Sequence, residues 1–180
     1  MNIFELFLTG ISLALDAFTI SICKGLSNNK KKDGIIISFF FGFFQFIMPI
    51  LGHYIGNIFS EKIIYFNPYI SMILLVTIGI LMLTEKNDNE IPTNLKISEL
   101  FLLSIATSID ALVIGISFSF LKINILSSST IIGIITFIMC LIGYYLGNFF
   151  NKKIGKYSNL IGGIIIILLG IKIFLQTLFN

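Results

Sequence analysis

The 180-residue sequence has no tryptophan, only three prolines and two cysteines, and just 12% charged residues. Every one of its twelve basic residues is a lysine. A soluble domain carries roughly 25% charged residues, so the polar surface of a water-facing globule is missing and a soluble enzyme is excluded. The net charge of +3 is small and scattered among apolar runs, which excludes a polyanion-binding, nucleic-acid-directed chain. Cys23 and Cys140 both sit inside apolar segments, so no disulfide framework is implied. What is present instead is 56% hydrophobic residues, 19 phenylalanines and a mean hydropathy of +0.99. These are the marks of an integral membrane protein.

Six apolar runs fall at about Ile3–Cys23, Ile35–Phe59, Tyr65–Leu83, Ile97–Leu121, Ile125–Phe150 and Leu160–Phe179. Each approaches the ~20 residues that a helix needs to cross ~30 Å of hydrocarbon. Polar stretches at Ser27–Gly34, Ser60–Lys62, Glu85–Lys96, Lys122–Asn124 and Asn151–Asn159 separate them. Backbone groups exposed to lipid must bond within their own segment, so the runs are expected to be helices. The first run has no basic leader and contains Asp16, so it reads as a span rather than a cleaved signal. Residues 1–180 form a single transmembrane domain that leaves almost nothing for a soluble one.

The lysines orient the chain. Lys24, Lys30, Lys31, Lys32, Lys86, Lys96, Lys152, Lys153 and Lys156 follow odd-numbered runs, against Lys62, Lys122 and Lys172 on the other side. Basic loops stay in the cytoplasm, which places both termini outside the cell membrane. Lys172 is expected to snorkel outward from the last helix.

The chain also repeats itself. Aligning Asp16 with Asp110 matches residues 5–26 to 99–120, with nine of 22 positions identical. Phe46–Phe59 and Phe137–Phe150 repeat as well, with Gly52/Gly143, Gly56/Gly147 and Asn57/Asn148 coinciding. The expected fold is all-α, six transmembrane helices as two inverted-topology three-helix repeats. Repeat one is 1–84, a cytoplasmic linker 85–96, and repeat two 97–180. An odd number of spans per repeat turns the second half over, an arrangement found in secondary transporters with a site at the repeat interface.

Asp16 and Asp110 each lie 13 residues into their runs, about 20 Å at 1.5 Å per residue. A carboxylate at that depth costs roughly 2.5–3.5 kcal/mol on insertion scales, so a partner for it is expected. Two such groups at close range repel unless a cation or proton sits between them. On the first helix Thr9, Ser12, Asp16, Thr19 and Cys23 form a polar stripe, and Thr107, Asp110 and Ser117 share a face on the fourth. Beside them run small residues, Gly10, Ala14, Ala17, Ser21 and Gly25, matched by Ser104, Ser108, Ala111, Gly115 and Ser119. Small residues let membrane helices approach closely, so spans one and four are expected to pack on each other along these stripes.

Spans two and five offer Gln45, Met48, Gly52 and Gly56 on one face, matched by Thr136, Met139, Gly143 and Gly147. Pro49 displaces the carbonyl of Gln45, which adds an oxygen to the Gln45 amide. The candidate metal ligands are therefore Asp16, Asp110, Gln45, Thr19, Ser12 and Thr107, with Met48 and Met139 as ligands or core. Glu5 and Glu99 read as solvated acids at opposite membrane edges, and His53 as a polar residue beside a packing face. Oxygen-rich sites suit magnesium, calcium or manganese. Moving a dication out against 100 mV costs about 4.6 kcal/mol, and there is no GxxxxGK phosphate loop. A proton counter-ion exchanging on an aspartate would supply that energy. No bound cofactor is expected; the metal is cargo.

The segments SLALDAFTISICKGL (Ser12–Leu26), ATSIDALVIGISF (Ala106–Phe118) and FGFFQFIMPILG (Phe41–Gly52) resemble the signatures of the MntP-type manganese efflux pump family, within the lysine exporter superfamily. The resemblance covers nearly the whole chain and implies manganese export from the cytoplasm, with Asp16 and Asp110 as the matching essential acids. Lys24-Gly25 matches the family's Lys-Gly. Cys23 stands where glycine is usual, and His53 where an aromatic residue is usual. A sporulation-associated branch with another substrate shares the architecture. A passive divalent-cation channel is the rival outside that family. An intramembrane aspartyl protease is disfavoured because Leu15 and Ile109, rather than Tyr and Gly, precede the acids.

Overall fold

The computed structural model describes residues 3–27, 30–84, 97–120, 123–154, 160, 163–168, 171–172 and 175, with backbone alone for stretches such as 57–71 and 151–154. All regular structure among them is helical: α1 (Ile3–Ser27), α2 (Lys31–Thr84), α3 (Ile97–Phe120) and α4 (Ile125–Ile154). Ile3–Ser27, Lys32–Gly56, Ile97–Ser119 and Ile125–Phe150 are each long and apolar enough to cross a membrane. The linker 85–96 and half of the sixth run lie outside the described residues.

α2 departs from the sequence reading. Helical structure continues through Ser60–Lys62, where a break between the second and third runs was expected. Polar residues alone do not stop a helix: Ser, Glu and Lys all tolerate its interior, and no glycine or proline stands at 60–62. At 54 residues, α2 would measure about 81 Å if straight, more than twice the hydrocarbon thickness. The other boundaries follow local chemistry. Asn124 caps α4, its side-chain oxygen accepting from the Ser127 N–H at 3.3 Å and its carbonyl from Ser128 N–H at 3.1 Å.

Packing corrects a second expectation. α1 lies against α4, α3 against α2, and α2 crosses α4, whereas α1 and α3 scarcely touch. The small-residue stripes therefore serve other partners. A Cβ on Gly25 would run into the Tyr144 carbonyl, and one on Gly147 into that of Ile22. In the other pair, a Cβ on Gly52 would meet the Leu112 carbonyl, and one on Gly115 that of Pro49. Small residues facing glycines on α4 and α2 bring two backbones together, and without a hydrophobic drive in lipid that close packing holds the helices. Gly42 and Gly133 face each other at the α2–α4 crossing, each 3.0 Å from the other's carbonyl oxygen as measured from an added Cβ.

The interior mixes apolar side chains with small polar ones, and the outside is apolar. Ser38, Thr107, Ser108 and Thr136 are buried, and each hydroxyl donates to the carbonyl four residues back. Phe4, Phe39, Leu126 and Phe149 are exposed, a surface suited to acyl chains rather than water. One buried cluster joins Ala17, Ile20, Phe41, Leu103, Tyr144 and Ile166, so part of the sixth run packs into the bundle. A second joins Leu6, Phe118 and Ile132.

Candidate metal site

Asp16 lies on α1 and Asp110 on α3, each partly buried within a membrane-spanning stretch. Although their helices scarcely touch, Asp110 is near enough for its charge to act on the Asp16 carboxyl. Lys172, from the last run, is a third charge acting on Asp16. Its side chain is exposed.

Gln45 is the buried polar group nearest in character to a ligand. It is fully buried; its Nε2 donates to the Leu13 carbonyl on α1 at 3.2 Å, while Oε1 is buried with no hydrogen-bond partner. Its repeat-equivalent Thr136 is equally buried but donates to the Ile132 carbonyl at 2.9 Å. An orphaned amide oxygen inside a bundle costs about 1–3 kcal/mol, a cost that a cation at that oxygen would offset.

The other candidates are placed as follows. Thr19 donates to Leu15 O at 2.9 Å and Thr107 to Leu103 O at 3.0 Å. Both hydroxyl oxygens thus keep lone pairs for a further partner. Met48 and Met139 are half-buried, and Ser12 is exposed. Among the described residues, no three His, Cys, Asp or Glu side chains gather as a metal cluster. A dication held by the two aspartates would therefore complete its shell from amide, hydroxyl and carbonyl oxygens, the hard donors that suit manganese, magnesium and calcium. A groove of about 370 Å³ beside the Gly42–Gly133 crossing is lined by four phenylalanines with Gly42, Gly133, Thr130 and Ile134, and carries no carboxylate.

One charged contact was not legible in the sequence. Lys24 Nζ, near the end of α1, pairs with Glu99 Oε1, near the start of α3, at 2.5 Å. Glu99 is thus an ion-paired, largely shielded group rather than the solvated acid expected. The two residues are 75 positions apart, and no local spacing announces them.

Residues 28–174 match the family described as "Putative manganese efflux pump". The chain belongs to this MntP family. Relatives with the same description are 40% identical in Actinobacillus succinogenes, over 98% of this chain and 97% of that protein. In Clostridium perfringens strain 13 the figures are 38%, 98% and 95%, and in Desulfitobacterium hafniense strain Y51 38%, 99% and 97%. No solved structure gives a significant match. The MntP family is one of transporters rather than an enzyme class, in keeping with the apolar, multi-helix membrane architecture.

Proposed function

We propose that this chain exports Mn2+, or a similar divalent cation, from the cytoplasm by ion-coupled alternating access between two inverted-topology halves. The observation that carries the reading is the buried, unpartnered Gln45 Oε1 in a membrane-spanning chain that also carries two partly buried aspartates at equivalent positions of its repeat. Paired carboxylates in a membrane interior need a counter-charge, and a dication neutralises both at once. The Gln45 Oε1 supplies a neutral oxygen ligand, with Thr19 and Thr107 hydroxyls able to add more. Ser12, Met48 and Met139 sit at the margin of this set. The relatives named as manganese efflux pumps support the substrate.

Contacts that recur between the halves support their inverted relation. Gly143 approaches the Phe18 carbonyl as Gly52 approaches that of Leu112, and Phe18 and Leu112 are equivalent positions when Asp16 is matched to Asp110. The six apolar runs then make six crossings with the lysine-rich loops in the cytoplasm and both termini outside. The second and third runs lie on one continuous helix, so this reading requires that helix to break and reverse near Ser60–Lys62 in the membrane. In each cycle Mn2+ leaves the carboxylates outward and protons replace it, so that the site returns without its cargo.

The test is manganese uptake into inside-out vesicles holding the full chain, with and without an imposed proton gradient. Uptake should rise with the gradient, and Asp16→Asn and Asp110→Asn should each abolish it as fully as the double variant, because the two act as one site. Gln45→Leu should raise KM more than it lowers kcat. Parent-level uptake by the double Asn variant, or uptake indifferent to the gradient, would overturn the site or the coupling respectively.

A further inference from the structure

We infer that Lys24 and Glu99 form a clasp that closes one end of the seam between α1 and α3, whereas Leu6 and Phe118 pack the opposite end. The inference rests on the transport reading only in taking that seam as the cargo's route. α1 and α3 run antiparallel. Lys24 meets Glu99 at one end, Leu6 and Phe118 share a buried cluster at the other, and Asp16 and Asp110 interact between them. Along α1, Asp16 is about 12 Å from Lys24 and about 15 Å from Leu6, at 1.5 Å per residue. The acidic pair is therefore bracketed by two closures of different chemistry.

The difference arises from one position of the repeat. With Asp16 matched to Asp110, Lys24 corresponds to Phe118 and Glu99 to Glu5. The second half thus has an acid where the clasp needs one, but a phenylalanine where it needs the lysine. Phe118 is 4% exposed and packs with Leu6 and Ile132. At the clasp end, Lys24 and Glu99 are 14% and 17% exposed, standing over the buried layer that includes Ile20, Leu103 and Ala106.

Separating two charged groups into water is easy compared with separating buried apolar ones, because water solvates the former and penalises the latter. A divalent cation arriving at the clasp end competes with the ammonium for the Glu99 carboxylate, which couples arrival of cargo to opening. At the other end Phe118 stands at the position of Lys24, so that position offers no ammonium for a cation to displace and the two ends part by different means. The clasp end is the loading end.

The experiment reads closure without requiring transport. Ala106→Cys places a thiol 3% exposed beneath the clasp; its reaction with a membrane-impermeant maleimide is followed from each face of the membrane, with labelling of the chain lacking that substitution subtracted. In the parent background labelling should be slow. Lys24→Glu or Glu99→Lys should speed it at least tenfold from the face bearing Lys24, and the double swap should return it to within threefold of the parent. Should a single reversal fail to accumulate in membranes, Glu99→Gln, which keeps the side chain's shape, gives the same reading. Unchanged labelling in the single variants, or a double swap as fast as they are, would overturn the clasp. A chain that keeps the labelling pattern but moves no manganese would overturn the proposed cargo and leave the clasp standing.

Discussion

At the scale of residues, glycine decides how closely the helices approach. Gly147 lies against the Ile22 carbonyl and Gly52 against that of Leu112, so an added methyl at either meets a neighbouring backbone that cannot step aside. At Gly10 the obstacle is the end of the flexible Ile135 side chain. Gly147→Ala and Gly52→Ala should therefore each destabilise the bundle by about 1–3 kcal/mol, with a clear loss of Tm in detergent, and Gly10→Ala by markedly less. Equal losses at all three would mean that backbone contact is not what these glycines serve. Asp16 and Asp110 stood out in the sequence because an unexplained acid in an apolar run is costly. Lys24 and Glu99 did not, because an acid or a lysine at the end of a run has water as a ready alternative partner.

At the scale of elements, the start of α2 is held by α4. Tyr144 is fully buried, its hydroxyl donates to the Lys30 carbonyl at 2.8 Å, and its ring lies where a Cβ on Gly34 would sit. The ring fills space while the hydroxyl gives the Lys30 carbonyl a second donor, beside the Asp33 N–H at 3.0 Å. Tyr144→Phe should cost about 1 kcal/mol, the usual net worth of one hydrogen bond, whereas Tyr144→Ala should cost about 3–5 kcal/mol through the cavity. Thermal unfolding of the two variants in the same detergent checks the ratio. The four apolar spanning stretches were legible from runs of that length, but the continuation of α2 through Ser60–Lys62 was not. Nor were the helices' partners: the small stripes marked faces that pack closely, but a stripe is compatible with any small facing surface. Only the positions of Gly52, Gly56, Gly143 and Gly147 in space turned α1 toward α4 and α3 toward α2.

At the scale of the whole molecule, the two halves meet where α2 crosses α4, with Gly42 against Gly133 and each half's first helix packed on the other half's second. The proposed six crossings make a direct topological prediction. A cysteine at Lys30 should react with an impermeant maleimide from the cytoplasmic face and one at Ser60 from the outer face. Labelling of both from one side would remove the reversal within α2 and, with it, the three-span repeat.

Composition and periodicity by themselves determined that the chain lives in a bilayer, that it is helical, and that it carries two acids at matching positions within apolar runs. These follow from local costs, since desolvating a backbone or a carboxylate is unfavourable wherever the segment later packs. Which helices touch, which amide oxygen stays unpaired, and which distant lysine neutralises which glutamate were decided only by the tertiary structure. Those outcomes depend on shape complementarity between surfaces remote in the chain, and many pairings satisfy the same local costs equally well.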